Sequence, residues 1–150
     1  MRFSKKSEYG LRALIELTQS YGRDPLPRHQ IATRQRIPLV FLEQILLALK
    51  HAGIVASTRG ALGGYALIKP PSTVTLGHVI RTLDGPLAPI MCVSKTAYRK
   101  CQDCPYAKKA CCPLQDVMGA VRNAIADILD HYSLEAFIAV ARRSRQRPRT

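Results

Sequence analysis

The sequence predicts a mainly α-helical fold in which three helices precede a β-hairpin and a long helix follows later. Three observations lead to this fold class. Apolar residues recur at helical spacing in three successive segments before Gly53. The period then changes to short strand-like runs around a glycine-rich tip. Finally, an apolar stripe begins at Leu114 and continues for about five helical turns.

The first helix is predicted from Ser4, a good N-cap residue, to about Tyr21. A proline at the first helical position introduces each of the next two helices. Pro27 precedes a short helix over residues 28–35, and Pro38 opens a helix that ends at Gly53. The expected inner faces contain Leu11, Leu14, Ile15 and Thr18 in the first helix, Ile31 and Ala32 in the second, and Leu42, Ile45, Leu46 and Leu49 in the third.

A hairpin is predicted directly after these helices. Residues 54–58 and 65–68 are strand-like, and residues 59–64 between them are rich in glycine. The second and third helices, joined by the short link 36–37, form a helix-turn-helix candidate. Three helices followed by a basic hairpin indicate a winged helix-turn-helix DNA-binding domain over residues 1–85.

The remaining chain divides into three segments. Thr75 is a predicted cap for a fourth helix, and residues 84–86 close it. Residues 86–113 hold all five cysteines without sustained periodicity, which predicts a sensor loop that needs an external organiser. Residues 114–141 are predicted to form dimerisation helices, because the long apolar stripe exceeds what a small domain covers. The alternative is that this stripe packs on the protein's own winged helix.

The charge is distributed unevenly along the 150 residues. The formal net charge is +13, of which +7 falls in residues 1–69 and +5 in residues 142–150. We therefore expect double-stranded DNA as the partner of the N-terminal module. The final nine residues, with five arginines, are predicted to be a basic disordered tail that strengthens phosphate attraction or is merely solvated.

Composition also excludes several classes of protein. Hydrophobic residues make up 47% of the chain, enough for a core. No segment approaches the roughly 18–20 apolar residues of a membrane span, and the N-terminus lacks an apolar leader. We therefore expect no membrane association and a cytoplasmic location. Cysteines in a reducing compartment indicate metal or redox chemistry rather than disulfides.

The predicted DNA surface includes the beginning of the third helix, because the second helix of a helix-turn-helix enters the major groove. Gln44 is expected to pair with an adenine edge and Glu43 to accept from cytosine, unless both are simply solvated. Arg59, at the hairpin tip, suits a narrow minor groove, with a plain turn charge as the alternative. The predicted DNA-contacting residues are Arg28, Leu39, Val40, Phe41, Glu43, Gln44, Lys50, Ser57, Arg59 and Gly60. Arg34 and Arg36 are further candidates for phosphate contacts.

The cysteines form a candidate metal site. Cys101 and Cys104 are spaced as C-x-x-C, so their two thiolates are suited to reach one metal from a single turn. Flanking cysteines complete four soft ligands, which suit zinc or an iron–sulfur cluster equally. Adjacent Cys111 and Cys112 are not expected to share one ion. The basic residues Lys95, Arg99, Lys100, Lys108 and Lys109 are expected to lower the thiol pKa values. Buried cysteines without a ligand are the alternative.

Four segments together resemble the Rrf-two (Rrf2) family of bacterial regulators. They are the opening MRFSKKSEYG, the run IPLVFLEQI from Ile37, the wing RGALGGY from Arg59, and the cysteine loop before a long helix. The resemblance covers about residues 1–140. It implies a homodimeric winged-helix transcription factor whose loop cysteines bind an iron–sulfur cluster, of the two-iron or four-iron type, or which senses by other means.

The resemblance also implies ligands. Cys92 matches the first of three family cysteines and Cys112 the last, whereas Cys101 and Cys104 both remain candidates for the middle one. The extra cysteine suggests ligation by Cys92, Cys101, Cys104 and Cys112, with Cys111 and Glu8 in reserve. Gln115 stands where some members have histidine. Phe41 stands where tyrosine is frequent, and it would lose one phosphate hydrogen bond.

Three functions follow as hypotheses. The first is a transcriptional regulator whose cluster reports iron, redox or nitric-oxide state and modulates operator binding. The second is a winged-helix regulator with a zinc site, or with a metal-free thiol switch or small-molecule pocket. The third, a small redox or electron-transfer protein, has little support, because no catalytic constellation is visible. His29, His51, His78 and His131 are scattered and are interpreted as surface groups.

Overall fold

The computed structural model describes residues 3–106 and 112–146. Its elements confirm the predicted fold class. The helices are α1 (Lys5–Gln19), α2 (Arg28–Gln35), α3 (Leu39–His51), α4 (Leu76–Asp84), α5 (Pro113–His131) and α6 (Leu134–Gln146), and the strands are β1 (Val55–Thr58) and β2 (Gly64–Leu67). Short 3-10 turns cover Pro71–Thr73 and Met91–Val93.

Helix α1 begins where the sequence predicts. The Ser4 hydroxyl accepts a hydrogen bond from the Ser7 backbone N–H at 3.2 Å, as an N-cap does. The helix ends two residues before Tyr21, and the Ser20 hydroxyl donates back to the carbonyls of Glu16 and Leu17. Of the predicted inner face, Leu14 is fully buried, whereas Leu11, Ile15 and Thr18 are only half-buried. The unpredicted Leu17 is fully buried as well, so the buried face centres on Leu14 and Leu17.

The link between α2 and α3 contains a left-handed residue. Arg36 has φ 51°, and no other non-glycine residue of the described chain has a positive φ. The Ile37 N–H donates to the Ala32 carbonyl at 2.9 Å, and its side chain is buried. Pro27 and Pro38 each lie one position earlier than predicted, as the residues that cap α2 and α3.

The wing is an antiparallel hairpin in which Val55 pairs with Leu67. It is attached to the start of α2 by a bridge between Leu26 and Tyr65, with N–H to O distances of 2.9 and 2.8 Å. A Cβ built on Gly64 would lie 2.3 Å from the Leu26 carbonyl oxygen. Glycine at this position therefore permits the close approach of the wing to α2.

One apolar core joins the N-terminal helices, the wing and the last helix. The predicted inner face of α3 is fully buried within it, as is Leu134 at the start of α6. The chain returns to the core through a bridge between Thr75 and Ser133, where the Leu134 N–H donates to the Val74 carbonyl at 2.9 Å. Helix α6 consequently packs on α1.

Helix α6 extends further than predicted. Residues 142–146 continue the helix, whereas the sequence analysis assigned them to a disordered tail. Arginine is a good helix former, and neither glycine nor proline interrupts the segment before Pro148. Residues 147–150 of the predicted tail lie outside the described residues. No helix in residues 3–106 and 112–146 is both long enough and apolar enough to cross a membrane.

Candidate nucleic-acid interface and cysteine site

The beginning of α3 presents an exposed apolar and polar surface. Leu39, Val40 and Phe41 are exposed, with 68% of the Val40 surface accessible. Gln44, one turn further along, is exposed as well. Four residues predicted to contact DNA therefore lie on the part of α3 that the core leaves uncovered.

Two predicted DNA contacts are instead paired with each other. Arg28 on α2 and Glu43 on α3 form an ion pair of 3.0 Å, and both side chains are substantially exposed. The pair holds the Arg28 charge at the junction of the two helices. An exposed ion pair has modest strength, so Arg28 remains accessible to a stronger anionic partner.

A second polar contact joins α3 to the wing. The Lys50 ammonium donates to the Ser57 hydroxyl over 2.6 Å. Both residues were predicted to contact DNA, and they bring the end of α3 beside β1. Because three hydrogens are available on the ammonium, this contact leaves donors for other acceptors.

An open cavity of about 480 Å³ lies between α2 and the wing. Its lining includes Arg28, Ser57, Arg59 and Gly60, so the fold brings together predicted residues from two distant segments. His29 also lines this cavity, although the sequence predicts only a scattered surface group there. Its position next to Arg28, at the start of α2, is the feature of the sequence that indicates this placement.

Phe41 is held against α1. Its ring meets that of Tyr9 edge to face, with 6.4 Å between the ring centres. The guanidinium of Arg12 lies 5.4 Å from the Tyr9 ring centre and the Lys5 ammonium 5.9 Å from it. The exposed surface at the start of α3 therefore continues onto α1 through the aromatic contact. Lys5 and Arg12 add positive charge to it there.

Arg34 has an internal partner that the sequence did not reveal. Its guanidinium lies 3.4 Å from the buried carboxylate of Glu16, which also accepts from Gln35 at 2.5 Å. Arg34 therefore helps to fix α2 on α1, and the buried carboxylate of Glu16 partly neutralises its charge. The neighbouring Arg36 is exposed.

The described cysteines differ in environment. Cys92 is buried, Cys101 is exposed, and Cys104 and Cys112 are half-buried. Cys101 interacts electrostatically with Cys92 and Cys112. Cys104 turns elsewhere, with its sulfur 3.8 Å from the Tyr106 carbonyl oxygen. Cys111 lies outside the described residues.

The expected lowering of thiol pKa values by basic neighbours is wrong for Cys101. The hydrogen bond with the Cys92 thiol raises the pKa of Cys101, and a thiolate at Cys92 or Cys112 would raise it further. Lys108 and Lys109 lie outside the described residues. The neighbouring thiols therefore affect the pKa of Cys101 more strongly than the basic residues of the loop do.

Glu8, the reserve ligand, forms ion pairs with two basic side chains of α1. Its carboxylate lies 2.7 Å from the Lys5 ammonium and 3.8 Å from the Arg12 guanidinium. The hydrogen bond from Lys5 is the main cause of a lowered pKa for Glu8. The carboxylate thus contributes to the α1 surface.

The thiols of Cys92, Cys101 and Cys112 are donors of the type that a thiolate-ligated centre uses, and Cys101 interacts with the other two. No group of three or more histidine, cysteine or acidic side chains in the described part of the chain has the arrangement of a metal site. Gln115, at the family's histidine position, donates its amide to the Cys92 carbonyl at 3.0 Å. That contact fixes Cys92 against α5.

Comparison with known proteins places this arrangement of a helix-turn-helix, wing and cysteine loop in a family. The Rrf2 family model, described as an iron-dependent transcriptional regulator, matches residues 3–140. The chain belongs to the Rrf2 family. A putative rrf2-like regulator of Rhodobacter capsulatus is 41% identical over 139 residues, which cover 91% of each chain.

Two solved structures resemble this Rrf2-family chain along most of its length. CymR of Bacillus subtilis, titled the global cysteine regulator, has a TM-score of 0.76 at 31% identity and covers 93% of this chain and 98% of its own. IscR of T. potens has a TM-score of 0.75 at 28% identity and covers 100% and 94%, respectively. The chain is therefore a DNA-binding transcriptional regulator and not an enzyme.

Proposed function

We propose that this regulator binds operator DNA as a homodimer in the cytoplasm, and that its cysteine loop holds an iron–sulfur cluster which modulates the binding. The observation that carries the DNA-binding surface is the uncovered start of α3 beside the cavity lined by Arg28 and Arg59. Helix and wing then contact adjacent grooves of one duplex.

The roles of individual DNA contacts follow from their chemistry. Gln44 is suited to read a base edge, because its amide both donates and accepts. Arg28, Lys50 and Arg59 are suited to phosphate or the minor groove. Phe41 is suited to apolar contact with DNA only, because phenylalanine has no hydroxyl to donate to a phosphate.

DNA binding is tested by selecting operator fragments from random duplexes with the full chain and then comparing variants. Gln44→Ala should relax the preference for one base pair, at a cost of about 1–3 kcal/mol in discrimination. Arg99→Ala, at an exposed arginine outside the proposed DNA surface and outside the basic C-terminal segment, is the matched control for Arg59→Ala. Equal affinity of wild type and the Gln44→Ala, Arg59→Ala double variant would refute this surface.

The homodimer is supported by the face of α5 that the chain itself leaves open. No described residue of α5 is fully buried. Its exposed large apolar residues are Leu114, Val117, Val121 and Ile128, with Tyr132 just after its end. These residues recur at helical spacing, so a second copy of the helix would cover them together.

The cluster is proposed to bind through Cys92, Cys101 and Cys112. The interaction of Cys101 with Cys92 and Cys112 supports Cys101 over Cys104 as the middle ligand. When bound, the cluster supplies a redox-active and oxidant-sensitive centre. The protein's own contribution is mechanical, because Gln115 links the Cys92 backbone to α5, whose exposed face is the proposed dimer contact.

Anaerobic purification followed by absorption, iron and sulfide analysis tests the cluster. We expect a brown protein, loss of colour in Cys101→Ser, and retention of colour in Cys104→Ser as the control. DNA affinity should differ between the cluster-bound and cluster-free forms. A colourless protein with stoichiometric zinc would favour the zinc alternative, and a metal-free protein whose DNA affinity changes on oxidation would favour the thiol switch.

A further inference from the structure

The outward face of α3 carries two apolar side chains that the core does not use. Val40 and Leu47 leave 68% and 52% of their surfaces exposed. Leu47 follows Val40 by seven residues, and the exposed Gln44 and His51 follow it by four and eleven. Residues at these spacings share one face of an α-helix. The outward face of α3 therefore consists of Val40, Gln44, Leu47 and His51, in that order along the helix.

This face lies opposite the residues that anchor α3 in the protein. The fully buried side chains of α3 centre about half a turn away from Val40 and Leu47, and they are Leu42, Ile45, Leu46 and Leu49. Neither Val40 nor Leu47 belongs to the apolar core or packs against it. Both side chains are therefore available to a partner without any rearrangement of the fold.

The groups that border this face are basic. Arg28 and Arg59 line the cavity between α2 and the wing, and Lys50 lies near the end of α3. Glu43, the acidic residue of α3, is paired with Arg28 over 3.0 Å. A border of cations around an apolar face favours a polyanion with apolar groups of its own over an apolar protein surface.

The major groove of DNA offers one apolar group, the 5-methyl group of thymine. Gln44 is suited to pair with an adenine edge, and the thymine of each A·T pair presents its methyl group in the same groove. The side chains of Val40 and Leu47 carry neither donors nor acceptors. Contact with a thymine methyl group is therefore the specific base-edge interaction open to them.

We propose that Val40 and Leu47 recognise the 5-methyl groups of two thymines on either side of the base pair that Gln44 contacts. The inference rests on the proposed binding of DNA by α3, and it adds Leu47 as a specificity-determining residue. At about 1.5 Å of rise per residue, the two side chains are about 10 Å apart along the helix. With about 3.4 Å per base pair, the two thymines lie within about three base-pair steps of each other.

The test starts from a duplex selected from random DNA with the full chain. Each thymine is replaced in turn by uracil, which keeps the base pair and removes only the methyl group. Fluorescence anisotropy then measures affinity. We expect a loss of about three- to fivefold at two thymines within about three base-pair steps, as for the burial of one methyl group each. Replacement by 5-bromouracil, whose bromine fills the space of the methyl group, should restore the affinity.

Variants assign each methyl group to a side chain. Val40→Ala should remove the uracil effect at one of the two positions and Leu47→Ala at the other, because alanine leaves the methyl group uncovered. Both positions are exposed and alanine favours helix, so both variants should fold. Leu62→Ala is the matched control, because Leu62 is 90% exposed but lies at the tip of the wing. It should leave both uracil effects unchanged.

Two results would overturn the proposal. One is equal affinity for the thymine duplex and all uracil-substituted duplexes. The other is a loss of affinity in Val40→Ala and Leu47→Ala that is the same on both kinds of duplex, as a purely structural role would give. If either occurs while the Gln44→Ala, Arg59→Ala double variant still binds more weakly than wild type, methyl recognition fails and the DNA surface stands. Full affinity in that double variant would refute the surface and the methyl contacts together.

Discussion

Arg81 on α4 and Asp130 on α5 form a two-point ion pair that joins the winged-helix module to the long helix. The two N to O distances are 2.6 and 2.8 Å. Gly77 lies directly beneath, where a Cβ would come within 2.0 Å of the Asp130 carboxylate. Planar guanidinium and carboxylate groups meet here in the geometry that is most specific for such pairs.

This pair predicts a pH dependence of stability. The Arg81 hydrogen bond lowers the pKa of Asp130, so the stabilisation is present above the unfolded-state value of about 3.9 and is lost as pH falls through the folded-state pKa. Both side chains are more than a third exposed, so solvent screening limits the effect to about 1 kcal/mol. In thermal unfolding, the difference between Asp130→Asn and wild type should shrink as pH falls below about 4, and Asp127→Asn is the exposed control. A constant difference from pH 3 to 7 would contradict this account.

Two glycines should respond oppositely to alanine. Gly64→Ala forces a Cβ against the Leu26 backbone and should destabilise the protein by about 1–3 kcal/mol. Gly119→Ala meets no neighbour and should stabilise it by about 0.5–1 kcal/mol through helix propensity. Urea unfolding of both variants measures the contrast. Similar effects in the two variants would show that the close approach of the wing is unimportant.

Two leucines, one near the start of α5 and one at the start of α6, should distinguish the effect of a substitution on folding from its effect on dimer assembly. Leu134→Ala empties a fully buried position and should cost about 2–5 kcal/mol of unfolding free energy. Leu114→Ala, at 56% exposure, should mainly weaken the proposed dimer. Chemical denaturation and sedimentation equilibrium provide the two readouts. A Leu114→Ala dimer as tight as wild type would argue against this face.

Salt dependence should distinguish the basic residues of the DNA surface. Arg59→Ala should reduce the slope of log affinity against log salt by about 1, because it removes one proposed phosphate contact. Arg28→Ala should reduce it by less than 1, because Arg28 is paired with Glu43. Arg34→Ala should change the slope less, because its charge is partly engaged by Glu16. Fluorescence anisotropy on one duplex at several salt concentrations measures these slopes. An Arg34→Ala slope change equal to that of Arg59→Ala would contradict the assignment.

The sequence by itself determined the features that depend on local interactions. Helix periodicity, the Ser4 and Thr75 caps, and the glycines of the wing predicted the helices and strands to within about two residues, apart from the end of α6, because each signal lies within a turn or two of the feature it controls. The same patterns identified an exposed α3 surface and a cysteine-bearing loop.

Only the tertiary structure decided which distant residues meet. It paired Arg28 with Glu43 and Arg34 with Glu16, and it brought Cys101 to Cys92 while Cys104 turned away. It also returned α6 to the core, where Leu134 is fully buried. Such contacts depend on how whole helices pack, and a local period specifies only which face of a helix is buried, not which side chains that face will contact.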